Sequence, residues 1–258
     1  MAAGTSVKNP FDSPPVASRY VTGRPYYHRT ALAVAFDELR LERVNVAVDV
    51  ACGTGLSTQA LCERAERVIA LDTSLAMLRM ADPTRNATLL VARAERLPLR
   101  TSCSDLATVG AAFHWFDQPS AFAELARVLR PGAALAVYSD FFHGKIVGQP
   151  GFTEWLTESY LPRFPTPARH AYFDPQAAEA AGFESPRYAE GELIVALSAG
   201  QVADYMLSQS NAAVAIESGS VEASALRTEI LAQTSPFFSG DEPADVSFGI
   251  RVWTTKLV

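Results

Sequence analysis

The chain of 258 residues predicts an α/β fold on a doubly wound, seven-stranded, mostly parallel sheet, and three observations carry that expectation. Apolar runs rich in β-branched residues recur at 46–51, 67–72, 87–92, 105–112 and 133–139, with helix-patterned segments between them. The run at 46–51 breaks sharply into a glycine loop, as a buried parallel strand does when it turns into a helix. The last segment, Val246–Val258, alternates in the manner of an antiparallel closing strand. Apolar residues make up 48% of the chain, enough for one full α/β core.

The first strand ends in Asp49, Val50 and Ala51 and continues as Cys52-Gly53-Thr54-Gly55. Gly53 and Gly55 leave room for a ligand against the backbone. A following helix, with Leu56, Ala60, Leu61 and Ala65 on one face, aims its first N–H groups at that ligand. A P-loop needs Lys-Ser/Thr after its second glycine, and Leu56-Ser57 stands there. A dinucleotide loop needs a third glycine, and Thr58 occupies that position. The pattern hydrophobic-Asp-hydrophobic-x-Cys-Gly-x-Gly instead resembles motif I of the class I S-adenosylmethionine-dependent methyltransferases, a Rossmann-like family. Ala51 sits where most members carry the first glycine, and it is small enough to keep backbone approach open. The resemblance implies that Ala51, Gly53 and Gly55 contact S-adenosylmethionine, with Asp49 orienting the loop and the cofactor amine.

The second strand ends in Asp72, seventeen residues after Gly55. A carboxylate at that tip can accept from both hydroxyls of a ribose. Thr73 and Ser74 then cap a helix over Leu75–Met80, with the serine as N-cap. The resemblance implies that Thr73 contacts the cofactor. Met77 reads either as a flat partner for adenine or as core, and Met80 reads as core. After the third strand, Ala94-Glu95-Arg96-Leu97-Pro98 resembles motif III of the same family. The resemblance implies that the Ala94 amide and the Glu95 acid meet the adenine edge. Glu95 reads equally as a loop support bonded to backbone, and Arg93 stands where many members carry Asp.

The fourth strand closes in Phe113-His114-Trp115-Phe116-Asp117, on the edge where open parallel sheets gather ligands. This ending resembles a subgroup of small-molecule methyltransferases that includes the trans-aconitate enzymes. His114 is the one candidate catalytic base, and the competing reading is a histidine that bonds a loop and shapes the pocket. A carboxylate acceptor would need no base at neutral pH. Asp117, Pro119 and Ser120 start a helix whose face is Phe122, Leu125, Ala126 and Leu129, and Arg130-Pro131-Gly132 stops it before strand five.

The organisation expected is one domain over 1–258: an N-terminal arm at 1–30, a cofactor-binding core at 31–140, and lid or substrate insertions at 141–173 and 197–245. Between the insertions, a short helix from Asp174 to Ala181 leads into strand six at 184–196. The spacing Tyr20-x-x-x-Arg24-Pro25-Tyr26 resembles the arm that folds over the cofactor in this subgroup. Tyr20 could shield the sulfonium and Arg24 could pair with the methionine carboxylate. Each also reads plainly, as an anchoring ring and a surface arginine. Trp155, Tyr160, Phe164, Tyr172, Phe173 and Tyr205 line an acceptor pocket or form the lid's own core.

Composition excludes other classes. Net charge is −6 with only three lysines, which disfavours nucleic acid. No apolar run is long enough to span a membrane and the first residues carry no signal core, so a cytoplasmic protein is expected. Cys52, Cys62 and Cys103 and four scattered histidines lack metal spacing. The function expected is methyl transfer from S-adenosylmethionine to a small-molecule acceptor, a carboxylate or a secondary metabolite. A cofactor-binding partner or regulatory protein without turnover is the alternative, supported by Ala51 and Arg93. A nicotinamide oxidoreductase is opposed by Thr58.

Overall fold

The computed structural model describes residue 19 and residues 23–82, 85–167 and 171–258. Seven strands, β1 (Val44–Val50), β2 (Ala65–Asp72), β3 (Ala87–Val91), β4 (Ser104–Gly110), β5 (Leu129–Ile146), β6 (Arg187–Leu197) and β7 (Ala244–Lys256), form one sheet. Their order is β3-β2-β1-β4-β5-β7-β6. The first five are mutually parallel, and β7 alone runs antiparallel, to both β5 and β6. The predicted doubly wound sheet with an antiparallel last strand is therefore what the chain forms.

Nine α-helices of four or more residues accompany the sheet among the described residues: α1 (His28–Leu39), α2 (Leu56–Cys62), α3 (Leu75–Leu78), α4 (Gln118–Val128), α5 (Pro150–Trp155), α6 (Pro175–Ala180), α7 (Ala199–Ser208), α8 (Ser210–Glu217) and α9 (Ala223–Thr234), besides a π-helical stretch at Leu156–Tyr160 and shorter turns. On one sheet face Leu32 and Phe36 of α1 and Leu61 of α2 meet Val68 and Leu106. On the other, Phe122 and Leu125 of α4 meet Val48, Val109 and Leu135. Strands covered on both faces have no polar face to show, which is why β1 reads as an unbroken apolar run.

A third apolar cluster lies under the later helices, where Phe152, Tyr160, Val202, Tyr205, Leu226 and Ile230 pack with Phe248 of β7. Trp155, Tyr160 and Phe164 belong to this cluster, and none of the three lines the cavity at the carboxyl ends of β1 and β4. Phe173 instead stacks on Phe113 and Trp253.

Several boundaries differ from the sequence reading, each for a local reason. Ala65 pairs with Val44 in β2 instead of extending the helix before it. α3 ends at Leu78, and Met80 is a surface residue at 46% exposure instead of core. β5 starts at Leu129 and runs on to Ile146, because β7 pairs with it through a register shift between Phe142 and Lys145. Residues 141–146, expected in an insertion, thus continue the sheet. Ser74 caps α3 as expected, accepting from the Met77 amide at 3.2 Å. Asp174 caps α6 through the Gln176 and Ala177 amides. Asp117 holds the N-cap position of α4 without a cap bond, and its carboxylate takes the Ser120 hydroxyl.

Candidate functional site

The strand order reverses between β1 and β4, so the connections leaving those strands diverge and open a crevice at their carboxyl ends. A cavity of about 340 Å³ lies there. Of the residues singled out in the sequence, Arg24, Ala51, Gly53, Asp72, Thr73, Met77, Ala94, Glu95 and His114 line it. Asp49 and Gly55 stand behind the wall instead of on it. Tyr20 lies outside the described residues.

The glycine loop is built by three positive backbone angles, with φ of 57° at Ala51, 56° at Gly53 and 82° at Gly55. Ala51 therefore adopts the left-handed backbone that a glycine takes without penalty. Ala51→Gly is expected to raise stability by about 0.5–1 kcal/mol, read by chemical denaturation, because relief of left-handed strain outweighs the added chain entropy. A side chain at Gly53 would crowd the Met77 methyl, whose carbon would lie 3.3 Å from the new Cβ. Gly55 precedes α2 and closes the turn by donating to the Cys52 carbonyl at 2.9 Å.

Asp72 ties this loop to the tip of β2. Its Oδ2 accepts from the Gly53 amide at 2.8 Å and its Oδ1 from the Ser74 amide at 2.7 Å. A carboxylate has about four lone-pair directions, so two such bonds leave capacity for a pair of ligand hydroxyls. The Gly53 amide, spent on Asp72, is not open to a phosphate.

Asp49 is fully buried beneath the loop. Its Oδ2 accepts from the Ser57 and Thr58 hydroxyls, both at 2.7 Å, and its Oδ1 from Thr108 at 3.1 Å. Burial raises its carboxyl to about 6 despite those three hydrogen bonds. Asp49 thus fixes the first turn of α2 from behind. Cys52 is on the wall, but burial, followed by the neighbouring Asp49 and Asp72 charges, pushes its thiol well up, so it is no thiolate nucleophile.

The third wall comes from the segment after β3. Ala94 is buried, and Glu95 accepts from the Asp117 amide at 3.3 Å and from Arg93 at 3.3 Å. The loop-support reading of Glu95 thus has a partner in Asp117, and the residue also faces the cavity. His114 lies in a single turn over Phe113–Trp115, is 4% exposed, and packs between Trp115 and Tyr172 with ring centroids at 4.8 and 5.1 Å.

The side nearest β5 holds residues that the sequence did not single out: His28, Ser139, Asp140, Phe141, Gln209 and Ser210. Arg24 is there too, paired with Asp140 at 3.4 Å and donating to the Ser208 carbonyl at 3.3 Å. Tyr172 and Tyr205, named among the candidate pocket aromatics, reach the cavity. One signal for His28 was available, since it follows Arg24 by four residues in the same arm.

The wall carries Asp72, Glu95 and Asp140, with Asp49 behind it, against Arg24 and Arg93. That balance suits a cationic ligand more than an anionic one. Two buried polar atoms on it, Thr54 Oγ1 and Gln209 Nε2, have no hydrogen-bond partner among the described residues. Buried polar groups are seldom left so, and a bound ligand would satisfy them. Among the described residues no cluster of side chains could hold a metal ion, and no helix is long and apolar enough to cross a membrane.

Residues 48–137 match the family described as a methyltransferase domain. An uncharacterized methyltransferase of Mycobacterium tuberculosis is 38% identical over 121 residues, which cover 46% of this chain and 47% of that protein. The chain thus spans about half the length of the curated relatives it matches. Among solved structures, one assigned as a type II methyltransferase from Anaeromyxobacter dehalogenans superposes with a TM-score of 0.67 at 22% identity, covering 89% of this chain and 95% of that one. The [4+2]-cyclase SpnF superposes at 0.54 with 18% identity, covering 89% and 80%. These structures share the fold, and a fold alone does not select a chemistry.

Proposed function

We propose that the chain is an S-adenosylmethionine-dependent methyltransferase acting on a small-molecule acceptor, a carboxylate or a secondary metabolite. The observation that carries this reading is the joint wall of the glycine loop and Asp72, tied together at 2.8 Å on the matched segment 48–137. The residues fit the cofactor: Asp72 retains lone pairs for two hydroxyls, the acidic wall favours a sulfonium, and Thr54 Oγ1 is a buried atom in want of a partner.

Bound S-adenosylmethionine supplies an electrophilic methyl group on a positively charged sulfur. Asp72 would hold the ribose, and Ala94, Glu95 and Met77 would contact the adenine. Arg24 is the candidate for the methionine carboxylate, in exchange for part of its bond to Asp140. The protein's share of the rate is alignment of the acceptor lone pair with the methyl carbon and exclusion of water. For an acceptor that carries a proton, His114 is the base, placed on the same wall. His114→Gln is expected to lower transfer to such an acceptor on the order of a hundredfold while leaving S-adenosylhomocysteine affinity within about threefold. Undiminished transfer would leave His114 a pocket-shaping residue.

The reading is tested by calorimetry with S-adenosylmethionine, S-adenosylhomocysteine and NAD. Binding of the two sulfur ligands and not of NAD supports it, and no sulfur-ligand binding at millimolar concentration sinks it. A methyl-transfer assay against a metabolite library then separates an enzyme from a binding protein without turnover.

A further inference from the structure

On the methyl-transfer reading, the glycine loop, Asp72 and Glu95 hold the ribose and adenine end on the β1–β3 side of the strand reversal, which leaves the β5 side to the methionine end, at Arg24, and to the acceptor. That side holds a second histidine. His28 opens α1, is 4% exposed, and lines the cavity. Its ring is fixed on two sides: Tyr27 stacks on it at 4.2 Å between centroids, and Tyr138 meets it edge-on at 5.9 Å. Nδ1 lies 3.2 Å from the Tyr138 hydroxyl, the one hydrogen bond of the ring among the described residues. Nε2 has no partner there, yet it is not sealed away from solvent as the orphaned Thr54 and Gln209 atoms are. The ring lines the cavity, and Nε2 is the ring nitrogen left for a ligand there.

Which nitrogen carries the proton follows from the surroundings. Burial, and after it the charge of Arg24 on the same side of the cavity, disfavours a second proton on the ring, so the ring is neutral and one nitrogen keeps a lone pair. With Nδ1–H donating to the Tyr138 hydroxyl 3.2 Å away, the lone pair is the one at Nε2. Asp140, whose side chain is 3% exposed, adds a carboxylate to the same wall, and the nearest cation, Arg24, already pairs with it at 3.4 Å. His28 and Asp140 thus both offer lone pairs. A ligand fits them by donating hydrogen bonds, and a carboxylate has none to donate.

We infer that His28 Nε2 receives the hydrogen of the acceptor's O–H or N–H, so that the site takes a neutral, proton-bearing nucleophile in preference to a carboxylate. Tyr138 is a positioning residue that fixes the tautomer. Burial and the Arg24 charge keep His28 neutral, with its ring pushed down to about 3, so it orients the nucleophile across the physiological range without titrating. His114 takes the proton: from the second N–H of an amine, or from a hydroxyl whose one hydrogen turns from His28 to His114 as the methyl is transferred.

Two measurements test this. The first needs no acceptor: ¹⁵N correlation spectra of histidine-labelled protein with S-adenosylhomocysteine, the His28 signal being identified by its loss in His28→Phe. A neutral ring protonated on Nδ1 is expected, and a ring protonated on Nε2 overturns the proposal. If His28→Phe does not fold, Tyr138→Phe identifies the signal by its shift. The second compares wild type and His28→Phe, or Tyr138→Phe in its place, on a panel of phenol, alcohol, primary amine and carboxylate acceptors. Expected are transfer to a hydroxyl or amine, a fall in kcat/KM of about tenfold to a hundredfold in the variant, an unchanged pH profile, and S-adenosylhomocysteine affinity within about threefold. Transfer confined to carboxylates, undiminished transfer in the variant, or loss of S-adenosylhomocysteine binding each overturns it. Failure of the wild type to bind S-adenosylhomocysteine is a different result, which removes the methyltransferase reading itself.

Discussion

Asp72→Ala is expected to lower S-adenosylhomocysteine affinity on the order of a thousandfold and to loosen the glycine loop at the same time. The two losses share one cause. The carboxylate accepts from the Gly53 and Ser74 amides at 2.8 and 2.7 Å, so its removal strands two backbone donors as well as the ligand hydroxyls it would hold. Hydrogen bonds to a charged group contribute about 1.5–3 kcal/mol each, and loss of two toward the ligand gives a factor of that size. Asp72→Asn separates the effects. Its amide oxygen can still accept from one backbone N–H, so stability recovers in part while affinity stays low. Calorimetry reads the affinity and denaturant unfolding reads the loop. An alanine variant that binds within threefold of wild type would remove Asp72 from the ligand site.

The site divides into a part that the sequence displays and a part that it does not. The glycine loop, Asp72, Ala94, Glu95 and His114 each follow the end of a parallel strand. A parallel sheet lines up its strand ends on one edge, so residues far apart in the chain meet there without further information. His28, Asp140 and Gln209 obey no such rule. His28 belongs to the helix before the sheet, Asp140 lies in the middle of the long β5, and Gln209 sits between α7 and α8. They converge because residues 24–28 and the helical layer pack over the β5 end, and beyond the Arg24–His28 spacing no short-range pattern encodes that packing. The missed length of β5 has the same origin, since its extension past Ser139 depends on pairing with β7, more than a hundred residues on. Most lid aromatics packed with one another because a helical layer of that size needs its own core before it can offer side chains to a ligand.

Asp49 gives the second large effect, and its sign is opposite to that of a surface carboxylate. Burial raises its folded value from 3.8 to about 6, so the folded protein binds this proton more tightly than the unfolded chain does. The contribution is fully present below about pH 4, where both states are protonated, and is lost as pH rises through about 6. The loss amounts to about 3 kcal/mol, from about two units at 1.36 kcal/mol each. Asp49→Asn carries no such proton. Its amide oxygen can accept from Ser57 and Thr58, and its amide nitrogen can donate to Thr108, whose hydroxyl then turns to the Val48 carbonyl 3.5 Å away. The stability of Asp49→Asn relative to wild type should therefore climb by about 3 kcal/mol between pH 4 and pH 7, measured by urea unfolding at each pH. The difference between the two proteins is the quantity to follow, because every other carboxylate cancels from it. A flat difference would mean that water reaches Asp49 beneath the loop, and with it that the three hydroxyls do not close the floor of the site.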